Sequence, residues 1–151
     1  MRSIFFFGFW IVAAVITPTD ALAENTAQEA ANKKMVLEFY DRVLNRKEAD
    51  AAAEYIGKKY IQHNPMVPDG VEALQAFVRK NKAEFPNSRS EVKRAFAEGD
   101  YVILHVHARR SPEDRGVAIV DIFRLENGKI VEHWDVIQPI PEKTANPNGM
   151  F

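Results

Sequence analysis

Val117-Ala118-Ile119-Val120-Asp121-Ile122-Phe123-Arg124-Leu125-Glu126-Asn127-Gly128-Lys129-Ile130-Val131-Glu132-His133-Trp134-Asp135-Val136 is the stretch that sorts this chain into a fold class. β-Branched and aromatic residues fill both arms, and Asn127-Gly128 sits between them. A two-residue hairpin turn needs positive φ at both central positions, which Asn and Gly adopt at least cost. The pattern predicts a strand from Gly116 to Leu125 and a last strand from Lys129 to Ile140, ended by Pro139 and Pro141. Upstream, Ser111-Pro112-Glu113-Asp114 reads as a polar turn, Tyr101 to Arg109 as a strand, and Glu98-Gly99-Asp100 as another turn. Val92, Arg94 and Phe96 mark the first strand of the four.

Before Ser88 the period changes from two to that of a helix. Thr26-Ala27-Gln28-Glu29 is a capping-box pattern, and Met35, Val36, Phe39, Tyr40, Val43 and Leu44 continue as an amphipathic helix to about Asn45. Glu48 to Ile56 is Ala-rich and short, and Gly57 stops it. Lys58 to Asn64 reads as a bend running into Pro65 and Pro68. A third helix starts at Asp69-Gly70-Val71-Glu72, is marked by Val71, Leu74, Phe77 and Val78, and ends at Phe85-Pro86. Three helices followed by four turn-connected strands define an α+β domain with helices on one face of an antiparallel sheet.

Composition narrows the functional classes. Twenty basic and 21 acidic side chains leave a net charge of -1, without the basic excess that marks a nucleic-acid binder. The chain has no cysteine, so disulfide frameworks, thiolate nucleophiles and zinc ribbons are excluded. Its N-terminus reads as a secretory signal: Arg2, then the apolar run Ile4 to Ile16, then Pro18 and Ala21-Leu22-Ala23. That run rises only about 20 Å as a helix, short of the roughly 30 Å hydrocarbon core of a bilayer. The expected organisation is a signal peptide over 1–23, cleaved after Ala23, and one domain over 24–151, secreted or periplasmic and without membrane attachment once cleaved.

The chemistry-bearing residues cluster on the strands. Asp121 lies in a run that is apolar on both faces, where a carboxylate is costly unless it is hydrogen-bonded or protonated. It could equally be a structural acceptor for Arg109 or Arg124. Alternation places His105 and His107 on one strand face, and His133 with Asp135 on one face of the last strand. His63 precedes Asn64-Pro65 in the link between helices, and Trp134 is core or pocket wall. Tyr40 and Tyr60 are core by default but, with His63, Asn64 and Trp134, are also candidates for binding a substrate. His105-x-His107 invites a metal reading, since imidazoles two apart on a strand can share one ion. Metal barrels of that kind are all-β, which the helical first half contradicts, so no metal is expected.

Tyr60-Ile61-Gln62-His63-Asn64-Pro65, Val120-Asp121-Ile122-Phe123-Arg124 and Gly128-Lys129-Ile130-Val131-Glu132-His133-Trp134-Asp135-Val136 together resemble the SnoaL-like polyketide cyclase family. That family belongs to the nuclear transport factor 2-like superfamily, which includes ketosteroid isomerase, and the resemblance runs from about Asn32 to Gln138. It implies a cone-like barrel in which a strongly curved sheet wraps the helices around a deep apolar pocket. It further implies a homodimer through the outer sheet face, and a cofactor-independent aldol condensation or isomerisation. Carried onto this chain, Asp121 or Asp135 would be the acid/base, and Asp121 is favoured because its strand is the more apolar. His105, His107, His133, His63 and Asn64 would orient or hydrogen-bond the substrate, a small apolar carbonyl compound. The alternative is a non-catalytic pocket protein that holds a hydrophobic small molecule or a partner domain.

Overall fold

The computed structural model describes residues 18–151, with side-chain surroundings from Thr26 onward. Most of the expected signal segment therefore lies outside the described residues. Helix α1 (Pro18–Phe39) runs on through a π-helical turn, Tyr40–Asn45. A 3-10 turn, Ala49–Ala51, leads into the single-turn helix α2 (Ala52–Tyr55). Strand β1 (Ile56–Gln62) and helix α3 (Val71–Glu84) complete the first half. The second half is β2 (Arg89–Glu98), β3 (Tyr101–Arg109), β4 (Val117–Glu126) and β5 (Lys129–Pro139).

The four expected strands form consecutive antiparallel pairs, and Asn127 and Gly128 both take positive φ, 51° and 69°, at the hairpin turn. Two expectations are corrected. The segment read as a bend at 58–64 is largely strand β1, which pairs parallel to β5 and gives the sheet order β1-β5-β4-β3-β2. Lys58 and Lys59 face solvent on this edge strand, where charge discourages further pairing, and they hide the alternation of Ile56 and Tyr60. The second correction concerns the helix start. Thr26 lies inside α1 rather than at its cap, and Glu29 Oε1 instead accepts the Gly99 N–H at 2.8 Å, tying the helix to the β2–β3 turn.

β1 and β2 are the two edges of the sheet, so the barrel is open rather than closed. Register shifts at Ile56/Ile61, Val92/Arg94 and Arg124/Leu125 bend the strands around the helical layer. The core lies between helices and sheet: Val36, Phe39 and Val43 from the first helical segment, Leu74 and Val78 from α3, and Val102, Leu104, Val106, Phe123, Leu125 and Ile130 from the strands. Phe39 packs edge-on to Phe123 with ring centroids 6.0 Å apart. No helix among the described residues is long and apolar enough to cross a membrane.

Candidate active site

Pairing register decides which polar groups meet. In the β4–β5 hairpin Asp121 lies opposite Asp135, and Phe123 lies opposite His133. Residues directly opposite in a pair share a sheet face, so both carboxylates and the imidazole point inward with Phe123. Asp121 is 4% exposed and His133 8%, and Asp135 is half-buried. These three residues each offer one ligand-type atom within 4.8 Å of the others. That spacing could hold a metal ion, but two of the residues already contact each other, His133 Nε2 lying 3.0 Å from Asp121 Oδ1. A cation there would have to displace that contact.

The remaining bonds come from β1 and the π-helical turn. Tyr40 Oη donates to Asp121 Oδ2 at 2.7 Å. His133 Nδ1 lies 2.8 Å from Gln62 Oε1, and Gln62 Nε2 donates to Tyr60 Oη at 3.2 Å. Asn64 Nδ2 donates to Asp135 Oδ2 at 2.6 Å. Burial, then the charge of Asp121 and the hydrogen bond to it, hold the Tyr40 phenol well above its ordinary pKa of 10. Tyr60 is raised in the same direction, chiefly by burial and then by Asp121. Both phenols are therefore neutral donors across the physiological range.

These groups line one part of a cavity of about 1160 Å³. Its walls include Phe39, Leu74, Phe77, Ile119, Phe123 and Ile137, and its rim includes Arg109, Arg110, Glu113 and Asp114. Apolar walls with a few convergent polar groups are the usual form of a small-molecule site.

Of the residues expected from sequence, the structure brings Asp121, Asp135, His133, Asn64, Tyr40 and Tyr60 to this cavity. It does not bring His105, His107, His63 or Trp134. His105 and His107 alternate with Val102, Leu104 and Val106, which take the core face, so the two imidazoles project from the outer face. There His105 Nδ1 lies 3.0 Å from Arg94 Nη1, His107 Nε2 donates to the Arg115 carbonyl at 2.8 Å, and both rings pack on Phe151. Trp134 sits between His133 and Asp135 in sequence and so must face outward. His63 stacks on it at 4.6 Å, and His63 Nε2 lies 2.9 Å from Glu132 Oε1. Hydrogen bonds to His63 and Arg124 pull the Glu132 carboxyl below its ordinary range.

Nor is Asp121 an acceptor for arginine: Arg124 pairs with Glu132 and Glu126 on the outer face. Gln62 is the site residue the sequence reading missed. Read as a strand, Tyr60-Ile61-Gln62 would have placed Tyr60 and Gln62 on one face.

An open, curved sheet wrapped on helices around an apolar cavity is the nuclear transport factor 2-like fold, which similar solved structures share. Within it, residues 34–143 match the model of the SnoaL-like polyketide cyclase family, and the chain belongs to that family. Solved structures agree on the fold. TsrD from Streptomyces laurentii is 20% identical, with a TM-score of 0.60 over 72% of this chain and 88% of that one. A nuclear transport factor 2-like protein of unknown function from Cytophaga hutchinsonii is 24% identical, with a TM-score of 0.60 over 72% and 90%. Another such protein, from Mesorhizobium loti, is 20% identical, with a TM-score of 0.61 over 74% and 93%. Comparison with curated proteins gives no match.

Proposed function

We propose that the protein is a cofactor-independent acid/base enzyme that removes a proton next to a carbonyl of an apolar substrate held in the cavity. The observation that supports this reading is the convergence of Asp121, Asp135 and His133 on one face beside apolar walls. Asp135 is the better-placed base. Both oxygens of Asp121 are engaged, by Tyr40 and His133, whereas Asp135 has one partnered oxygen, on Asn64. The second Asp135 oxygen accepts no other side-chain hydrogen bond among the described residues, which leaves it to face whatever the cavity holds.

In the reaction the C–H electron pair becomes the enolate π bond, the proton passes to Asp135, and charge develops on the carbonyl oxygen. In an aldol cyclisation the enolate carbon then attacks a second carbonyl of the same molecule, whose oxygen takes the proton back from Asp135 as the new C–C bond forms. In an isomerisation Asp135 returns the proton to a different carbon of a conjugated enolate. A cavity of about 1160 Å³ admits a substrate of several fused rings.

Deuterium uptake at the carbon next to the carbonyl of 2-tetralone, followed by NMR in D₂O, tests the proton transfer without knowledge of the natural substrate. Exchange should be faster than in buffer, and Asp135→Asn should slow it by about 10²–10⁴. Asp121→Asn should instead mainly lower stability, because Tyr40 and His133 lose a charged partner. Wild-type protein that does not accelerate exchange would leave the binding-only reading. A kinetic loss confined to Asp121→Asn would make Asp121 the base.

We also propose that the outer sheet face joins two copies of this chain. It carries exposed Phe96, Tyr101, Val120 and Val136, an apolar surface that water does not favour.

A further inference from the structure

Gln62 has its amide orientation fixed by its neighbours. Its Oε1 accepts the backbone N–H of Asn64 at 2.9 Å, and a backbone amide can only donate. The opposite end, Nε2, is then the group that donates to Tyr60 Oη at 3.2 Å. His133 Nδ1 lies 2.8 Å from the same Oε1, which has no hydrogen to give, so Nδ1 carries one. Asn64 is fixed in the same way: its Oδ1 accepts the Met66 N–H at 2.8 Å, leaving Nδ2 for Asp135.

Two consequences follow from this directionality. With Nδ1 protonated, the 3.0 Å contact between His133 Nε2 and Asp121 Oδ1 contains one proton that belongs to the pair. The second consequence concerns Tyr60. Its oxygen already accepts from Gln62, and no acceptor bonds its hydroxyl hydrogen among the described residues. Tyr60 lines the cavity beside the two carboxylates, so that hydrogen is left for whatever the cavity holds.

We propose that Gln62 is a positioning residue that keeps His133 protonated at Nδ1 and turns the Tyr60 hydroxyl toward the carbonyl oxygen of the bound substrate. The use of this arrangement in turnover rests on the acid/base reading, but the arrangement itself does not. As the α-proton passes to Asp135, the negative charge growing on the substrate oxygen would be met by the Tyr60 O–H. Tyr60 keeps its own hydrogen throughout. A preorganised donor in an apolar cavity stabilises such charge more than water does.

The test has a spectroscopic and a binding part. Long-range ¹H–¹⁵N spectra of the full chain at neutral pH, with His133 assigned through His133→Gln, should show Nδ1 protonated. Gln62→Leu should move the ring to the tautomer with its hydrogen on Nε2, facing Asp121. A wild-type His133 with unprotonated Nδ1 would overturn the proposal without any variant having to fold.

The binding probes are 2-acetonaphthone, which can only accept, and 2-ethylnaphthalene, which has the same shape and no oxygen. Tyr60→Phe and Gln62→Glu should each weaken the ketone about ten-fold and leave the hydrocarbon unchanged, the Glu because it captures the Tyr60 hydrogen. Equal effects on both probes, no effect on either, or a wild-type protein that does not take up the ketone would overturn it. Absent hydrogen exchange with the expected spectra and binding would fail the enzymatic reading alone. Intact exchange with unprotonated Nδ1 would fail this proposal alone.

Discussion

Tyr40 shows how one side chain serves both packing and chemistry. Its ring packs edge-on to Phe123, with centroids 6.4 Å apart, while its hydroxyl reaches the Asp121 carboxylate. Burial and the neighbouring negative charge keep the phenol protonated in the folded protein above its ordinary pKa of 10. In the unfolded chain it would ionise normally. Above pH 10 the native state therefore holds more protons than the unfolded state, so the stabilisation, fully present below pH 10, is lost as pH rises. One such tyrosine corresponds to a slope of about 1.4 kcal/mol per pH unit. Tyr60, raised in the same direction, adds to it. Urea unfolding at pH 8, 10 and 11 should show falling stability, and Tyr40→Phe should flatten the fall while costing about 1–3 kcal/mol at pH 8. An alkaline slope identical in wild type and Tyr40→Phe would refute the assignment.

At the scale of elements, legibility tracked how local the determining interaction is. The β4–β5 hairpin carries its instructions in adjacent residues: alternation in both arms and Asn127-Gly128 between them. The turn by itself would set Asp121 opposite Trp134; the register shift between Arg124 and Leu125 is what puts it opposite Asp135, and that shift has no signal in the sequence. β1 carries no such local signal. Its partner, β5, lies some seventy residues on, as in the register Gln62↔His133, and its Lys58-Lys59 pair looks like a loop. Misreading that strand concealed Gln62, and with it the order of hydrogen bonds around His133. His105 and His107 failed differently. Alternation correctly gave them one face, but only the competition with Val102, Leu104 and Val106 for the core decides which face it is.

The β3–β4 connection has its own requirement at Gly116, which has φ 77°. A Cβ there would stand 2.1 Å from the Ala108 carbonyl oxygen, and backbone on that side cannot easily yield. Gly116→Ala should therefore cost about 1–3 kcal/mol and lower the thermal midpoint accordingly. A midpoint within a degree of wild type would mean that the connection adapts.

For the whole molecule, the sheet acts as a wall with two working faces. Period-two alternation means that Asp121 and Asp135 on the cavity side dictate Val120, Ile122, Trp134 and Val136 on the other. Val120 and Val136 are register partners and lie 40% and 71% exposed, and Tyr101 sits within 6.5 Å of the Trp134 ring. Phe151 already shields the His105 and His107 end of this face. What remains open includes exposed Tyr101, Val120 and Val136 on the strands that also carry Asp121 and Asp135, so a second copy seated there would stiffen the wall of the cavity. Sedimentation equilibrium at micromolar concentration should give twice the chain mass. Replacing Val120 and Val136 together by Asp would bury like charges at the centre of the contact, which costs several kcal/mol and should shift the protein to monomer. Because those side chains point away from the cavity, the monomeric variant should still bind 2-acetonaphthone. A wild-type protein that sediments as a monomer at the same concentration would dismiss the second copy and leave the outer face to a different partner.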